Sequence, residues 1–176
     1  MDPVIHPTLL NSCARAATTA EARFRVDYPN SARRASRIFA LDAQAAEAMY
    51  AITEDPWLGA HFLTVGFKDV VVPDETKAED LLLSHPDGST ANLLQELKGA
   101  DVIILISSSG QNAGAAEVIA REAYHRKIMT AGLALSDPAS KKKTDKVVSI
   151  LRPFATVLVV SQDEEFIPAM LTALRA

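Results

Sequence analysis

Apolar positions along this chain fall into short continuous runs, separated by longer stretches where they recur every three or four residues. The runs are Arg37–Leu41 (RIFAL), Ala60–Val65 (AHFLTV), Val102–Ile106 (VIILI), Ile128–Leu135 (IMTAGLAL) and Phe154–Val160 (FATVLVV). Their length and continuity predict strands buried on both faces. Helical spacing marks Gln44–Thr53, Ala113–Arg126, residues 137–151 and residues 162–175, the last with Phe166, Ile167, Met170, Leu171 and Leu174 on one side. Asp42 is placed to cap the first of these helices, and Asp55-Pro56 stops it. Ser89–Lys98 reads as a further helix, with Gly99 as its left-handed stop. Val70–Val72 is expected to extend the strand pairing beyond Gly66. Residues 73–88 are charged and turn-rich around His85-Pro86-Asp87-Gly88, with room for one short helix.

Strands that alternate with helices in this way predict an α/β fold, a single doubly wound parallel sheet of about five strands with right-handed crossovers. Ahead of it, Thr8–Glu21 and Ala22–Ala35 read as two helices, bent near Tyr28-Pro29-Asn30. The expected organisation is therefore a helical segment over residues 1–35 packing on an α/β domain over residues 36–176.

Composition narrows the function classes. Hydrophobic residues make up 48% and charged residues 23%, the balance of a globular protein. No apolar run approaches the ~20 residues that span a bilayer, so no membrane partner is expected. A net charge of −4 argues against general affinity for nucleic acid. Arg23, Arg25, Arg33, Arg34 and Arg37 do cluster, but Glu21 and Asp27 interrupt them, and the group reads as a solvated helix face. The opening MDPVIHPTLL lacks the features of a secretory signal. Cys13 is the single cysteine, which excludes an internal disulfide and a cysteine metal cluster and fits a reducing cytoplasm. The apolar helices at both ends suggest a homo-oligomer.

Candidate chemistry concentrates in one place. Ser107-Ser108-Ser109-Gly110-Gln111-Asn112 follows a buried strand and opens a helix. The first amides of a helix lack intrahelical partners, and the dipole makes that end electropositive. A phosphate or carboxylate is the ligand class this pattern suits. If the first and third strands are neighbours, Asp42-Ala43-Gln44 meets this turn in one crevice. Asp42 would then repel a bound phosphate unless water, a metal or an arginine intervened. No glycine stands in Leu41-Asp42-Ala43-Gln44, so neither a dinucleotide fingerprint nor a Walker loop is present, and no cofactor is expected. His6, His61, His85 and His125 show no metal-ligand spacing, and no serine sits in a nucleophile elbow. Glu47 is the one carboxylate on the first crossover helix near enough to the crevice to be weighed as an acid or base.

The stretch Ile106-Ser107-Ser108-Ser109-Gly110-Gln111-Asn112-Ala113 resembles the phosphate-binding turn of sugar isomerase (SIS) domains, S-x-S-G-x-[ST]. Asp42-Ala43-Gln44 is similar to the D-A-Q after the first strand of phosphoheptose isomerases. That resemblance implies a flavodoxin-like strand order and a phosphorylated sugar as ligand. It implies that Ser107, Ser108, Ser109 and Asn112 hold the phosphate along the Gly110-Gln111 backbone, while Asp42 or Gln44 contacts sugar hydroxyls. Glu47 is the candidate base for aldose–ketose isomerisation. Four features depart from the family: Asn112 replaces a hydroxyl residue, the Gly/Ser-rich loop before Asp42 is absent, Glu47 falls closer to the Asp than the family's catalytic Glu, and no His stands after His125, where the family's acid–base partner is expected. A non-catalytic sensor or assembly subunit is the alternative. Lys98-Gly99-Ala100-Asp101 and Gly114–Ala120 also resemble the flanks of the phosphate loop in tubulin-like GTPases of bacterial cell division, with the loop two residues shorter and most of its glycines lost.

Overall fold

The computed structural model describes residues 33–55, 57–66, 71–162 and 166–176. The chain divides into two units, residues 1–32 and residues 33–176. The helices expected over Thr8–Glu21 and most of Ala22–Ala35 lie outside the described residues; Arg33, Arg34 and Ala35 are not helical.

The second unit is α/β and carries one sheet. Its strands are β1 (Ser36–Ala40), β2 (Ala60–Val65), β3 (Leu83–Ser84), β4 (Thr90–Ala91), β5 (Val102–Ser107), β6 (Met129–Leu135) and β7 (Val157–Ser161). The helices among the described residues are α1 (Ala43–Tyr50), α2 (Leu93–Glu96), α3 (Ala113–His125), α4 (Lys141–Leu151) and α5 (Phe166–Leu174), with a 3-10 turn at Ala78–Asp80. None of them is long and apolar enough to cross a membrane.

Spatial order in the sheet is β4-β3-β2-β1-β5-β6-β7. β2, β1, β5, β6 and β7 run parallel, and β3 and β4 add an antiparallel hairpin at the β2 edge. The expected five-stranded parallel sheet is thus corrected to a mixed sheet of seven strands. The hairpin occupies the region expected to hold only turns and the start of a helix. Gly66 N–H donates to Leu82 O at 2.8 Å, so at Gly66 the sheet is continued by this hairpin; Val71 and Val72 are not in a strand, and Val70 lies outside the described residues.

Alternation along the central strands builds two cores. Phe39, Leu63, Ile103 and Leu105 pack with Ala115, Val118 and Ile119 of α3 and Val147 of α4. Ile38, Phe62, Ile104 and Leu133 pack with Ala45 and Met49 of α1 and Ile167 and Leu171 of α5. A strand directs successive side chains to opposite faces, so a run with no polar residue must be covered on both. The helix after β1 lies on one face and the helix after β5 on the other, which makes the β1–β5 boundary the switch point of the sheet.

Gly114, in the first turn of α3, is required by close approach. A Cβ there would lie 2.0 Å from Val71 O, a backbone atom. Gly114→Ala is therefore expected to push residues 71–73 off the helix and to cost about 2 kcal/mol, the scale of an overpacked contact. Urea unfolding of the variant checks this; an unchanged midpoint would refute the contact.

Candidate functional site

The switch point brings the sequence-predicted residues together. Asp42 directly follows β1 and is the N-cap of α1, in extended backbone, its Oδ1 accepting from Ala45 N–H at 3.0 Å. The other donors come from the turn after β5. Ser108 Oγ–H donates to Asp42 Oδ1 at 2.5 Å, while Ser107 Oγ–H and the Ser108 amide reach Oδ2 at 2.8 Å each. The Ser109 amide follows at 3.1 Å. One carboxylate, 2% exposed, thus accepts from two hydroxyls and three amides.

Two further amides and one side chain of the turn are also committed. Gly110 N–H donates to Ser107 Oγ at 3.1 Å and Gln111 N–H to Ser109 Oγ at 3.3 Å. Asn112 takes a left-handed conformation, φ 55°, and its side chain does not cap α3. Its Nδ2 instead donates to Leu41 O at 2.7 Å, a second tie from this turn to the end of β1. Gly110, φ 69°, packs so closely under α4 that a Cβ would meet Ile150 Cδ1 at 2.9 Å.

The geometry answers the electrostatic objection raised by the sequence. Asp42 is not a charge that a phosphate must tolerate, because it is itself the anion that the turn binds. Ser107 and Ser108 are buried, and the donors they offer are directed at an internal acceptor. Gln44, Glu47 and Gln111 sit on the solvent side as exposed residues, and no hydrogen bond joins Glu47 to Asp42 or to the turn. The structure therefore unites Asp42 with Ser107, Ser108, Ser109 and, through Leu41, Asn112. It leaves Gln44 and Glu47 outside that network.

Burial alone would raise the Asp42 carboxyl. The Ser108 hydroxyl and the amides of Ala45, Ser108 and Ser109 outweigh it and hold the group below its ordinary value. A carboxylate held in this way is a weaker base than a free one, and the two serines whose hydroxyls it accepts from, Ser107 and Ser108, are buried.

A second charged cluster lies at the amino ends of the strands, and the sequence does not signal it as a unit. Arg37 and His61 are register partners on β1 and β2. Glu96 Oε2 lies 3.3 Å from Arg37 Nε and 2.7 Å from His61 Nδ1, and Glu96 Oε1 lies 3.5 Å from His85 Nε2. Arg37 Nε also donates to Glu96 O at 2.7 Å and Nη1 to Ser36 O at 3.0 Å. Burial lowers the Arg37 guanidinium from its usual value, opposed by Glu96 and Asp101. This set joins α2 and the hairpin turn to the first two strands, at the end of the sheet opposite to the one where parallel sheets bind ligands. Among the described residues, no group of three or more His, Cys, Asp and Glu side chains could hold a metal ion.

Compared with models of known protein families the chain matches none, and comparison with curated proteins gives no match.

Asp42→Asn is expected to destabilise the protein by about 3 kcal/mol at pH 7, because an amide turns donors toward donors in a buried site. The sign of the pH dependence follows from the depressed Asp42 value. A carboxyl lowered on folding contributes stability that is complete above its unfolded value, about pH 4, and is lost as pH falls through the folded value. The stability gap between wild type and Asp42→Asn should stay constant from pH 7 to pH 5 and narrow below about pH 4. Urea unfolding across that range reads it; a gap that widens in acid would contradict the assignment.

Proposed function

We propose that this protein is a non-catalytic assembly subunit, an α/β domain whose ligand crevice is closed by its own carboxylate. The observation that carries the reading is the position of Asp42 on the Ser107, Ser108 and Ser109 donors. A sugar phosphate at the same turn would have to displace that carboxylate and then share the site with its charge. Isomerisation has less support again, since Glu47 is exposed and unconnected to the network. With the crevice occupied from within, the work of the domain falls to its surface.

Ligands that bind the native state raise its melting temperature. A thermal-shift series of the full chain with inorganic phosphate, phosphorylated sugars and GTP, each at about 10 mM, is expected to give shifts under about 1 °C. Stabilisation by several degrees with a phosphorylated sugar would overturn the reading in favour of a phosphosugar site, and with GTP in favour of the tubulin-like one. Asp42→Gly, which vacates the donors, should become more sensitive to phosphate than the wild type.

A further inference from the structure

A cavity of about 340 Å³ opens between the second half of α3, the start of β6 and the turn that leads from α4 into β7. Much of its wall is apolar. Ala120 and Ile128 are buried there, and Pro153 and Phe154 contribute from the turn. The volume lies within the range of pockets that hold small organic molecules. The cavity sits at the amino ends of β6 and β7, whereas Asp42 and its donors stand at the carboxyl ends of β1 and β5, and the two share no residue.

Polar groups in this wall lack internal partners. Thr130 is 5% exposed and lines the cavity. Ala131, Leu133 and Leu135 belong to the core under α1 and α5, so strand alternation turns Thr130 toward α3. Its carbonyl accepts from the Thr156 amide at 2.8 Å, but its hydroxyl has no hydrogen-bond partner among the described residues. Among those residues the one wholly buried side-chain N or O atom without a partner is Arg175 Nη1, so the Thr130 oxygen is not sealed off and opens into the cavity. Glu117 and Arg121 line the same cavity at a spacing that suits an ion pair along a helix. No ion pair joins them, and Glu117 has no partner among the described residues. Arg121 instead donates to Pro73 O at 2.8 Å and lies 3.9 Å from the carboxylate of Asp74, which is 95% exposed. A guanidinium carries five N–H donors in a planar fork, so donors remain for another oxygen-bearing group.

We propose that this cavity binds a free α-amino acid with a large apolar side chain, its ammonium on Glu117, its carboxylate on Arg121 and its side chain on the apolar wall. The charges select the class. A simple amine would be opposed by Arg121 and a simple carboxylate by Glu117, whereas a zwitterion answers both. Two charged groups one helical turn apart match the two ends of an α-amino acid, which are joined through a single carbon. The Thr130 hydroxyl can donate to the carboxylate or accept from the ammonium. Water would satisfy the same hydroxyl, but it would leave Ala120, Ile128 and Phe154 wet, and covering them is the gain an apolar side chain brings. Tyr124, 80% exposed, borders both this cavity and a wider cleft of about 570 Å³ beyond it, so a long side chain is not crowded. A small ligand in a cavity with charged groups at an open rim is expected to bind with a dissociation constant on the order of 0.1–1 mM.

This site goes beyond the assembly reading and does not depend on it. Heteronuclear NMR of the full chain, titrated with L-phenylalanine and L-leucine to about 20 mM, should show saturable shifts at Tyr124, Thr130 and Thr156. Glycine, which has no side chain to cover the wall, should bind about tenfold more weakly or worse. Phenethylamine and phenylpropionate, which each keep one of the two charges, should also lose about tenfold or more. Glu117→Gln should weaken L-phenylalanine about tenfold without weakening phenylpropionate, and Arg121→Gln should weaken L-phenylalanine similarly without weakening phenethylamine. Thr130→Val, which keeps the volume and removes the hydroxyl, should cost about fivefold in affinity. If a variant fails to fold, the series of ligands on the wild type decides alone. No saturable shift with either amino acid overturns the site. Equal binding of the singly charged analogues overturns the zwitterion, and equal binding of glycine overturns the apolar wall as its partner. Shifts confined to Asp42 and residues 107–112 would place the ligand in the crevice and overturn both this inference and the assembly reading.

Discussion

One carboxylate holds the carboxyl end of this sheet together. Asp42 caps α1 through Ala45 and at the same time receives the first donors of the β5 turn, so two crossover units on opposite faces share a single acceptor. The arrangement follows from what the ends of helices and strands leave unpaired. Amides after a buried strand need an acceptor, and the nearby dipole prefers it to be negative. An acceptor attached to the neighbouring strand loses only side-chain freedom on docking. A free anion must also give up translation and rotation, which is a larger cost. Given the same contacts, the internal carboxylate is the stronger competitor.

The opposite end of the strands repeats the principle with the charge reversed. There a guanidinium on β1, 7% exposed as a residue, is satisfied by Glu96 and by main-chain carbonyls. Leaving either charge without its partners would cost far more than the pair gains over neutral packing. Both ends of β1 therefore carry a buried charge that reaches across to another element, Asp42 to the β5 turn and Arg37 to α2. The strand at the centre of the topology is pinned at both ends, and both charges fix how it sits against its neighbours.

How much of this the sequence carries depends on the range of the interaction. The five parallel strands were legible because each is a continuous apolar run, and the α1 cap was legible because Asp42 stands three residues before the amide it accepts from. Gly99 was legible as a helix stop and takes φ 76°. The hairpin was not, since β3 and β4 hold two residues each and offer no alternation to count. Leu81-Leu82-Leu83 does alternate in burial, at 4%, 63% and 1%, but three identical side chains hide a period of two. Arg37, His61, His85 and Glu96 come from four separate stretches, and only the folded chain makes them a cluster.

The crevice shows the same limit in sharper form. Ser107 to Asn112 can be read from sequence as a set of donors at a helix start, and that reading is correct as chemistry. What a local motif does not contain is the acceptor. Here the acceptor is decided 65 residues earlier in the chain, by a residue whose short-range role as a helix cap already accounts for it and gives no reason to look further. Only the placement of β1 beside β5 brings the two together. The same hydroxyls and amides would make a phosphate cradle beside a glycine-rich first turn, because such a turn supplies no competing carboxylate. In this chain the residue that meets those donors from the adjacent strand is Asp42.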